Sequence, residues 1–324
     1  MITVFGSINL DLVAAVERLP LPGETAAGPD HQNFPGGKGA NQALAARRAG
    51  ADVAMTGAVG TDVFAAPALA NLEAAGVDLS GVRRLDGATG IAMIGVEASG
   101  ENLIIVASGV NARVSASWLK GKLQKGSILL MQMETPAAEI RAAIAAAREA
   151  GATVILNTAP AGDPAVSELA SFSDIVIANE SEAMEIAGKL GLPGEPEAFV
   201  RTVAEGKLGS ARLAVVTLGA KGVIAHDGKA LYAVPVPKVK VIDTTGAGDA
   251  FCGAFAAALD RGDELGAALA FGVAAGSLAC TANGAQGSAP DATAISQLAA
   301  TLPITRSLLH ANTVPETEDS LGKA

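Results

Sequence analysis

Short apolar runs alternate with helical stretches along most of this chain, and that alternation constrains its fold more than any other feature. The apolar runs cover residues 2–6, 53–58, 128–133, 153–157, 174–178 and 213–218. Helical patterns fill residues 40–49, 63–75, 137–150, 180–190 and 197–205. Apolar runs of this length, separated by helices, predict a doubly wound α/β fold: a mostly parallel sheet with helices on both faces. The pattern breaks in two places. Residues 9–34 and 89–106 carry short strand-like segments with no helix between them. They predict a small antiparallel sheet beside the main one, forming a β lid over the strand ends, where α/β folds bind ligands. A hairpin is expected around Asp227-Gly228, followed by two apolar helices over 247–260 and 263–281. The second is apolar nearly all round and is expected to be buried. One domain over 1–302 is expected, with a polar, poorly ordered tail over 303–324.

Bulk properties narrow the function classes. Half of the 324 residues are hydrophobic and only 3% aromatic, so helices must pack closely on strands through small side chains. The net charge is −10 and no basic stripe is present, which argues against nucleic acid as a partner. No run is long enough to span a membrane. The first residues read directly as a strand with no secretory n-region, so a cytoplasmic location is expected. Cys252 and Cys280 fall in apolar helical stretches and are expected to be small buried side chains in a reducing compartment.

Asp243-Thr-Thr-Gly-Ala-Gly-Asp249 runs straight into a helix. Gly246 and Gly248 allow backbone N–H groups to approach an anion, and a helix N-terminus favours negative charge. Asp249 adds a carboxylate in the first turn. A carboxylate beside a phosphate site suits phosphoryl transfer, in which a base takes a hydroxyl proton while N–H groups hold the transferring group. A glycine-rich turn with an acidic helix start would look the same. A second glycine-rich element, Gly36-Gly-Lys-Gly-Ala-Asn41, also opens a helix; Lys38 and Asn41 supply donors there. Its order does not match a Walker A loop, and a solvated loop with a helix cap remains the alternative. Asn9 and Asp11 follow the first strand with the same parity, so they face one side of an extended chain. An amide and a carboxylate together suit a polyhydroxyl ligand. Glu134, and the pair Asn179 and Glu182, follow predicted strands at positions fit for a ligand or metal, although Glu182 equally suits an ordinary first-turn helix acid. Thr217-Leu-Gly219-Ala-Lys-Gly222 joins two strands, either beside a nucleotide or simply as a turn. The three histidines are scattered and give no zinc spacing.

Taken in order, these elements, together with Pro-Gly-Glu-Thr at 22–25, resemble the ribokinase-type (PfkB) carbohydrate kinases from residue 1 to about residue 300. The resemblance implies an ATP-dependent phosphorylation of a sugar hydroxyl, first of all D-ribose to D-ribose 5-phosphate. Fructose, another pentose or a nucleoside is the alternative acceptor, and a non-catalytic sugar-binding protein a further one. A nucleotide-dependent oxidoreductase lacks its glycine fingerprint here. By resemblance, Asn9, Asp11, Gly37, Lys38, Asn41 and Glu134 hold the sugar, and Asp249 accepts the proton of the attacking hydroxyl. The N–H groups of Gly246, Ala247 and Gly248 form an anion hole, and Asn179, Thr217, Gly219 and Gly222 line the ATP site. Glu182 helps to place Mg²⁺ through water. Asp243, Thr245, Ala279, Ala282, Gly284 and Ser288 surround K⁺, several through carbonyls. The resemblance also implies a homodimer formed through the β lid. Two positions depart from the pattern: Val273 stands where His or Asn is frequent beside adenine, and Ala282 where Arg is frequent.

Overall fold

The computed structural model describes residues 1–160 and 162–308. Fourteen strands are described: β1 (Ile2–Phe5), β2 (Asn9–Val16), β3 (His31–Gly36), β4 (Val53–Val59), β5 (Asp78–Arg84), β6 (Gly90–Glu97), β7 (Asn102–Ala107), β8 (Ile128–Met131), β9 (Thr153–Asn157), β10 (Ile175–Asn179), β11 (Leu213–Thr217), β12 (Val223–His226), β13 (Ala230–Val234) and β14 (Thr305–Leu308). The α-helices are α1 (Lys38–Arg48), α2 (Ala65–Ala75), α3 (Ala137–Ala150), α4 (Val166–Phe172), α5 (Glu180–Leu190), α6 (Pro196–Ala204), α7 (Ala247–Arg261), α8 (Leu265–Ala279) and α9 (Ala292–Ala299). Ten strands form one sheet in the order β14-β13-β12-β11-β10-β9-β8-β1-β4-β5. From β11 to β5 every pairing is parallel; β12, β13 and β14 add an antiparallel edge.

Strand parity sorts the core into two layers. In β8, Ile128 and Leu130 join the cluster that includes α1, α2, α7 and α8, while Leu129 and Met131 join the cluster under α3 to α6. A strand buried on both faces needs apolar residues at both parities, which is why the sequence shows runs rather than alternation. The helices have the complementary pattern. In α3 the buried residues are Ile140, Ala143, Ile144 and Ala147, one stripe at helical spacing. As expected, α8 is buried nearly all round.

The second sheet has the order β3-β2-β6-β7. It uses the segments expected for the lid, but it is mixed rather than antiparallel: β2 and β6 run parallel, from Asn9 opposite Gly90 to Val16 opposite Glu97. β2 leaves the C-terminal end of β1, and β6 starts just after the loop that follows β5, so both central strands depart from the main sheet in one direction. β5 and β14 were not expected. Among the described residues β5 pairs only with β4, and β14 only with β13, so both are edge strands there, and β14 is exposed at every residue. The first residues of the expected tail thus belong to the sheet; residues 309–324 lie outside the described residues. Among the described residues no helix is long and apolar enough to cross a membrane.

Candidate active site

Two helix N-termini are brought together at the C-terminal ends of the parallel strands. The cause lies one turn inside α7. Gly253 faces α1 so closely that a Cβ there would sit 2.6 Å from the Gln42 carbonyl oxygen and 2.7 Å from the Ala45 Cβ. Only glycine permits that crossing. Asp249 is four residues earlier on the same face of α7, so the crossing presses it against the first turn of α1. There Asn41 Nδ2 donates to Asp249 Oδ2 at 2.9 Å, and Gln42 Nε2 donates to Asp249 Oδ1 at 2.9 Å.

Lys38 begins α1 and points into a cavity of about 370 Å³ that Asp249, Asn157, Asn179, Glu182, Gly246 and Gly248 also line. Burial alone would lower the Lys38 ammonium, but the carboxylates of Asp249, Glu134 and Glu182 outweigh it and hold the pKa above the ordinary lysine value. A permanent cation therefore faces the cavity. On one side lies a cavity of about 330 Å³ lined by Ser7, Asn9, Asn111, Glu134 and Thr135. Glu134 Oε2 accepts the Lys38 backbone N–H at 3.0 Å and the Ser7 hydroxyl, and so anchors the start of α1. Asn9 Oδ1 accepts from Asn111 Nδ2 at 2.7 Å. On the other side is the largest of these three cavities, about 720 Å³, lined by Thr217, Gly219, Gly222, Val236, Val241, Gly248, Phe251, Val273 and Cys280. Thr217 and Gly248 line both this cavity and the one holding Lys38 and Asp249.

The remaining expected residues fall nearby. Asp11, Gly37 and Asn41 line none of these cavities. Asp11 is nevertheless within electrostatic reach: burial, then the charges of Glu134 and Asp249, push its pKa up to about 6 against a pull from Lys38. Asn179 and Glu182 form a capping box on α5: Glu182 N–H donates to Asn179 Oδ1 at 2.8 Å, and Asn179 N–H donates to Glu182 Oε2 at 3.0 Å. Both line the Lys38 cavity rather than the largest one.

At the α7 terminus, Ala247 N–H donates to the Thr244 carbonyl at 3.2 Å. Gly246 and Gly248 N–H groups have no acceptor among the described residues. Of the three N–H groups expected to hold an anion, those of Gly246 and Gly248 are free, and the Asp249 N–H that follows also has no acceptor among the described residues. Asp243 ties this turn to the loop after α8, accepting Thr245 N–H at 2.9 Å and Gly284 N–H at 2.8 Å. Burial pushes its carboxyl up, but those hydrogen bonds outweigh it and hold the pKa below the ordinary value. Ser288 Oγ donates to the Gly284 carbonyl at 2.6 Å, and Ala282 N–H reaches the Ala279 carbonyl at 3.5 Å, so the six residues expected around a monovalent cation occupy one loop cluster.

Several residues of the site were not anticipated. Gln42, Gln132, Asn157 and Gln286 are buried amides: Gln42 bonds to Asp249, Gln286 to Asn41, and Gln132 and Asn157 to Gln42. Their positions held a signal: Asn157 ends a parallel strand, and Gln42 shares the first turn of α1 with Asn41. Cys280 differs from expectation too. It is only partly buried and lines the largest cavity, whereas Cys252 is fully buried.

Comparison with known proteins decides the family. The pattern for the "pfkB family carbohydrate kinase" matches residues 1–292. This chain belongs to that family. The kinase is 38% identical over 293 residues to the ribokinase of Lactococcus lactis subsp. lactis, covering 89% of this chain and 93% of the relative. Its fold matches the crystal structure of ribokinase from Thermotoga maritima with a TM-score of 0.82 and 32% identity, over 92% of this chain and 98% of that one. The Arabidopsis thaliana ribokinase complexed with ribose and ATP gives the same values: TM-score 0.82, 32% identity, 92% and 98% coverage. The enzyme is a sugar kinase with a ribokinase-like fold.

Proposed function

We propose that this kinase transfers the γ-phosphoryl group of ATP to the 5-hydroxyl of D-ribose. The observation that carries the reading is the junction at Gly248. It joins a cavity holding Asp249 and Lys38 to a large, mainly apolar cavity of nucleotide size. The support for ribose is that the Lactococcus lactis relative is a ribokinase and that the Arabidopsis structure holds ribose and ATP.

In this reading the sugar lies among Asn9, Asp11, Gly37, Lys38, Asn41 and Glu134, with its reacting hydroxyl at Asp249. ATP lies along Thr217, Gly219 and Gly222, with Asn179 near its phosphates. A new O–P bond forms as the bond from the γ-phosphorus to the ADP oxygen breaks, and the hydroxyl proton passes to Asp249. The transition state is loose, so that proton leaves late and position matters more than basicity. Gly246 and Gly248 N–H groups and the α7 N-terminus stabilise the negative charge on the phosphoryl oxygens; Ala247 N–H joins them if it leaves Thr244. Lys38 adds a fixed cation.

Glu182 fits a place beside Mg²⁺. Its Oε2 is taken by Asn179 N–H and the Thr158 hydroxyl, which leaves Oε1 for a metal-bound water. Mg²⁺ would neutralise charge on the phosphates. The cluster of Asp243, Thr245, Ala279, Ala282, Gly284 and Ser288 fits K⁺, because the Asp243 carboxylate and the backbone and hydroxyl oxygens of these residues are hard donors and no soft ligand is needed.

The small sheet acts as a lid that excludes water when sugar is bound. Met93, Leu103 and Ile105 are exposed on one face of it, and that apolar face supports a homodimer through the lid. The protein is read as cytoplasmic.

A coupled ADP-release assay with ATP and Mg²⁺, with and without K⁺, tests the reading over ribose, deoxyribose, fructose, xylulose, adenosine and pseudouridine. Turnover with ribose well above the others, stimulated by K⁺, is expected. Preference for another acceptor overturns ribose as the substrate, and equal rates with and without K⁺ overturn the cation site.

A further inference from the structure

Asp249 is fully engaged behind the face it presents to the cavity. Its two carboxylate oxygens accept from two different buried amides, and each amide is itself oriented by others. Gln42 Nε2 donates to Asp249 Oδ1 at 2.9 Å and to Asn157 Oδ1 at 3.0 Å. Gln42 Oε1 accepts from Gln132 Nε2 at 2.7 Å, and Asn157 Nδ2 donates to the Ile177 carbonyl at 3.2 Å. On the other side, Asn71 Nδ2 donates to Gln286 Oε1 at 3.1 Å, Gln286 Nε2 donates to Asn41 Oδ1 at 3.1 Å, and Asn41 Nδ2 donates to Asp249 Oδ2. An amide has one acceptor end and one donor end. In both chains the acceptor ends are used up away from Asp249, so only N–H groups reach the carboxylate. A turned Gln42 would set its oxygen against both Asp249 and Asn157 Oδ1. Gln42 has no exposed surface and lines none of the three cavities.

We infer that Gln42 is a positioning residue for phosphoryl transfer: it fixes the orientation of the Asp249 carboxylate by presenting an N–H donor to one of its two oxygens. This rests on Asp249 being the base. Gln42 touches neither sugar nor nucleotide. It acts by holding one carboxylate oxygen from behind, so that the carboxylate meets the hydroxyl in a single orientation. A carboxylate free to rotate would lose that alignment, and misplacement near 1 Å costs about 10²-fold in rate.

Two substitutions separate this role from simple packing. Gln42→Met keeps the volume and removes the donor. Gln42→Glu keeps the shape and makes the donor titratable. When protonated, the glutamic acid can still donate to Asp249; when ionised, it places a second negative charge against Oδ1. Two carboxylates at one site titrate as a pair. The other ionisable groups facing this pair are Lys38 on α1, Asp11 on β2, Glu134 after β8, Glu182 on α5 and Cys252 on α7. All of them are present in the parent enzyme, so the ratio of variant to parent kcat removes their contribution.

The experiment measures kcat and both KM values from pH 5 to 9 for the parent, Gln42→Met, Gln42→Glu and Asp249→Ala, with ribose, ATP and Mg²⁺. Thermal melting at each pH confirms that each protein is folded. Gln42→Met is expected to lose about 10²-fold in kcat at every pH with KM values nearly unchanged. Gln42→Glu is expected to approach the parent at low pH and to fall to the Gln42→Met level as pH rises. A folded Gln42→Glu enzyme whose kcat ratio stays flat across the range overturns the inference, as does Gln42→Met with parental kcat. If Asp249→Ala itself retains turnover, the underlying assignment of the base fails instead, and the two failures are told apart.

Discussion

The two regions proposed above as the acceptor side and the nucleotide side of this kinase are built on different principles. Around Asp249, Lys38 and Glu134, directional hydrogen bonds fix nearly every polar group: Glu134 holds the start of α1, Asn41 and Gln42 hold Asp249, and Gln132 and Gln286 hold those in turn. The cavity beyond Gly248 is lined instead mainly by apolar residues, among them Val223, Val236, Val239, Val241, Phe251 and Val273, with Thr217, Lys238, Thr244 and Ser277 among the polar ones. Chemistry that moves a proton and a phosphoryl group needs angular control, which charged and amide groups supply. Holding a flat base needs area and shape, which apolar side chains supply without directional bonds. The acceptor side should therefore answer to single-atom changes with large losses in kcat, and the nucleotide side with modest changes in KM.

The sharpest test of that contrast lies at the junction, in two glycines two residues apart. A Cβ on Gly248 would meet nothing within 4 Å, whereas one on Gly246 would sit 2.6 Å from the Ala285 Cα, on a backbone with φ of 77°. Gly248→Val is expected to fold with a melting temperature close to that of the parent and to lose at least about 10³-fold in kcat, because its side chain fills the space for phosphate. Normal turnover in a folded Gly248→Val enzyme breaks the anion-hole account. Gly246→Ala is expected to lose about 1–3 kcal/mol of stability by chemical denaturation, through strain and overlap. Unchanged stability there would mean that the loop after α8 yields easily.

Asp11 gives the next largest effect, in two opposite directions. Folding raises its pKa from 3.8 to about 6, chiefly by burial and then by repulsion from Glu134 and Asp249. A carboxyl raised on folding contributes stability that is fully present below its unfolded value and lost as pH rises through the folded one. At pH 7 the ionised Asp11 is therefore a cost to the native state. Asp11→Asn is expected to raise stability at pH 7 by up to about 3 kcal/mol, a gain that shrinks as pH falls from 7 toward 4. The same variant is expected to raise the sugar KM about 10- to 100-fold, through lost bonds to a charged acceptor. In the parent the sugar KM is expected to rise as pH falls through the Asp11 pKa of about 6, while that of the Asp11→Asn variant is expected to stay flat. A less stable variant at pH 7, or an unchanged sugar KM, removes Asp11 from this role.

On the nucleotide side, Val273→Ala removes contact area from a wall that is 5% exposed. The expected result is an ATP KM raised about fivefold, with kcat and sugar KM unchanged. A large fall in kcat would show that this wall also aligns the reacting groups and would erase the contrast.

The contrast also explains what was legible in the sequence. The parallel sheet was readable because strands buried on both faces leave unbroken apolar runs. β5 and β14 were not, because edge strands such as Asp78–Arg84 and Thr305–Leu308 pair on one side only and carry mostly polar residues. The lid segments were visible, but the parallel pairing of β2 with β6 depends on where both strands leave the main sheet, which no local pattern records. On the acceptor side, Asp249, Lys38 and Asn41 stood out because charged and amide groups lie there beside glycines at helix starts. Gln42 and Gln132 did not: a glutamine within an apolar stretch carries no sign of its partner 90 residues away. The valines of the nucleotide cavity were indistinguishable from core residues, since an apolar binding wall and an apolar core have the same composition.

The account depends most on Asp249 as the group that takes the hydroxyl proton. Its direct test is Asp249→Ala, measuring kcat with ribose by ADP release alongside ATP-analogue affinity by calorimetry. The account predicts a loss of about 10²- to 10⁴-fold in kcat with nucleotide affinity within a few-fold of the parent. A folded Asp249→Ala enzyme that turns over within tenfold of the parent (about 1.4 kcal/mol in the barrier) would contradict it.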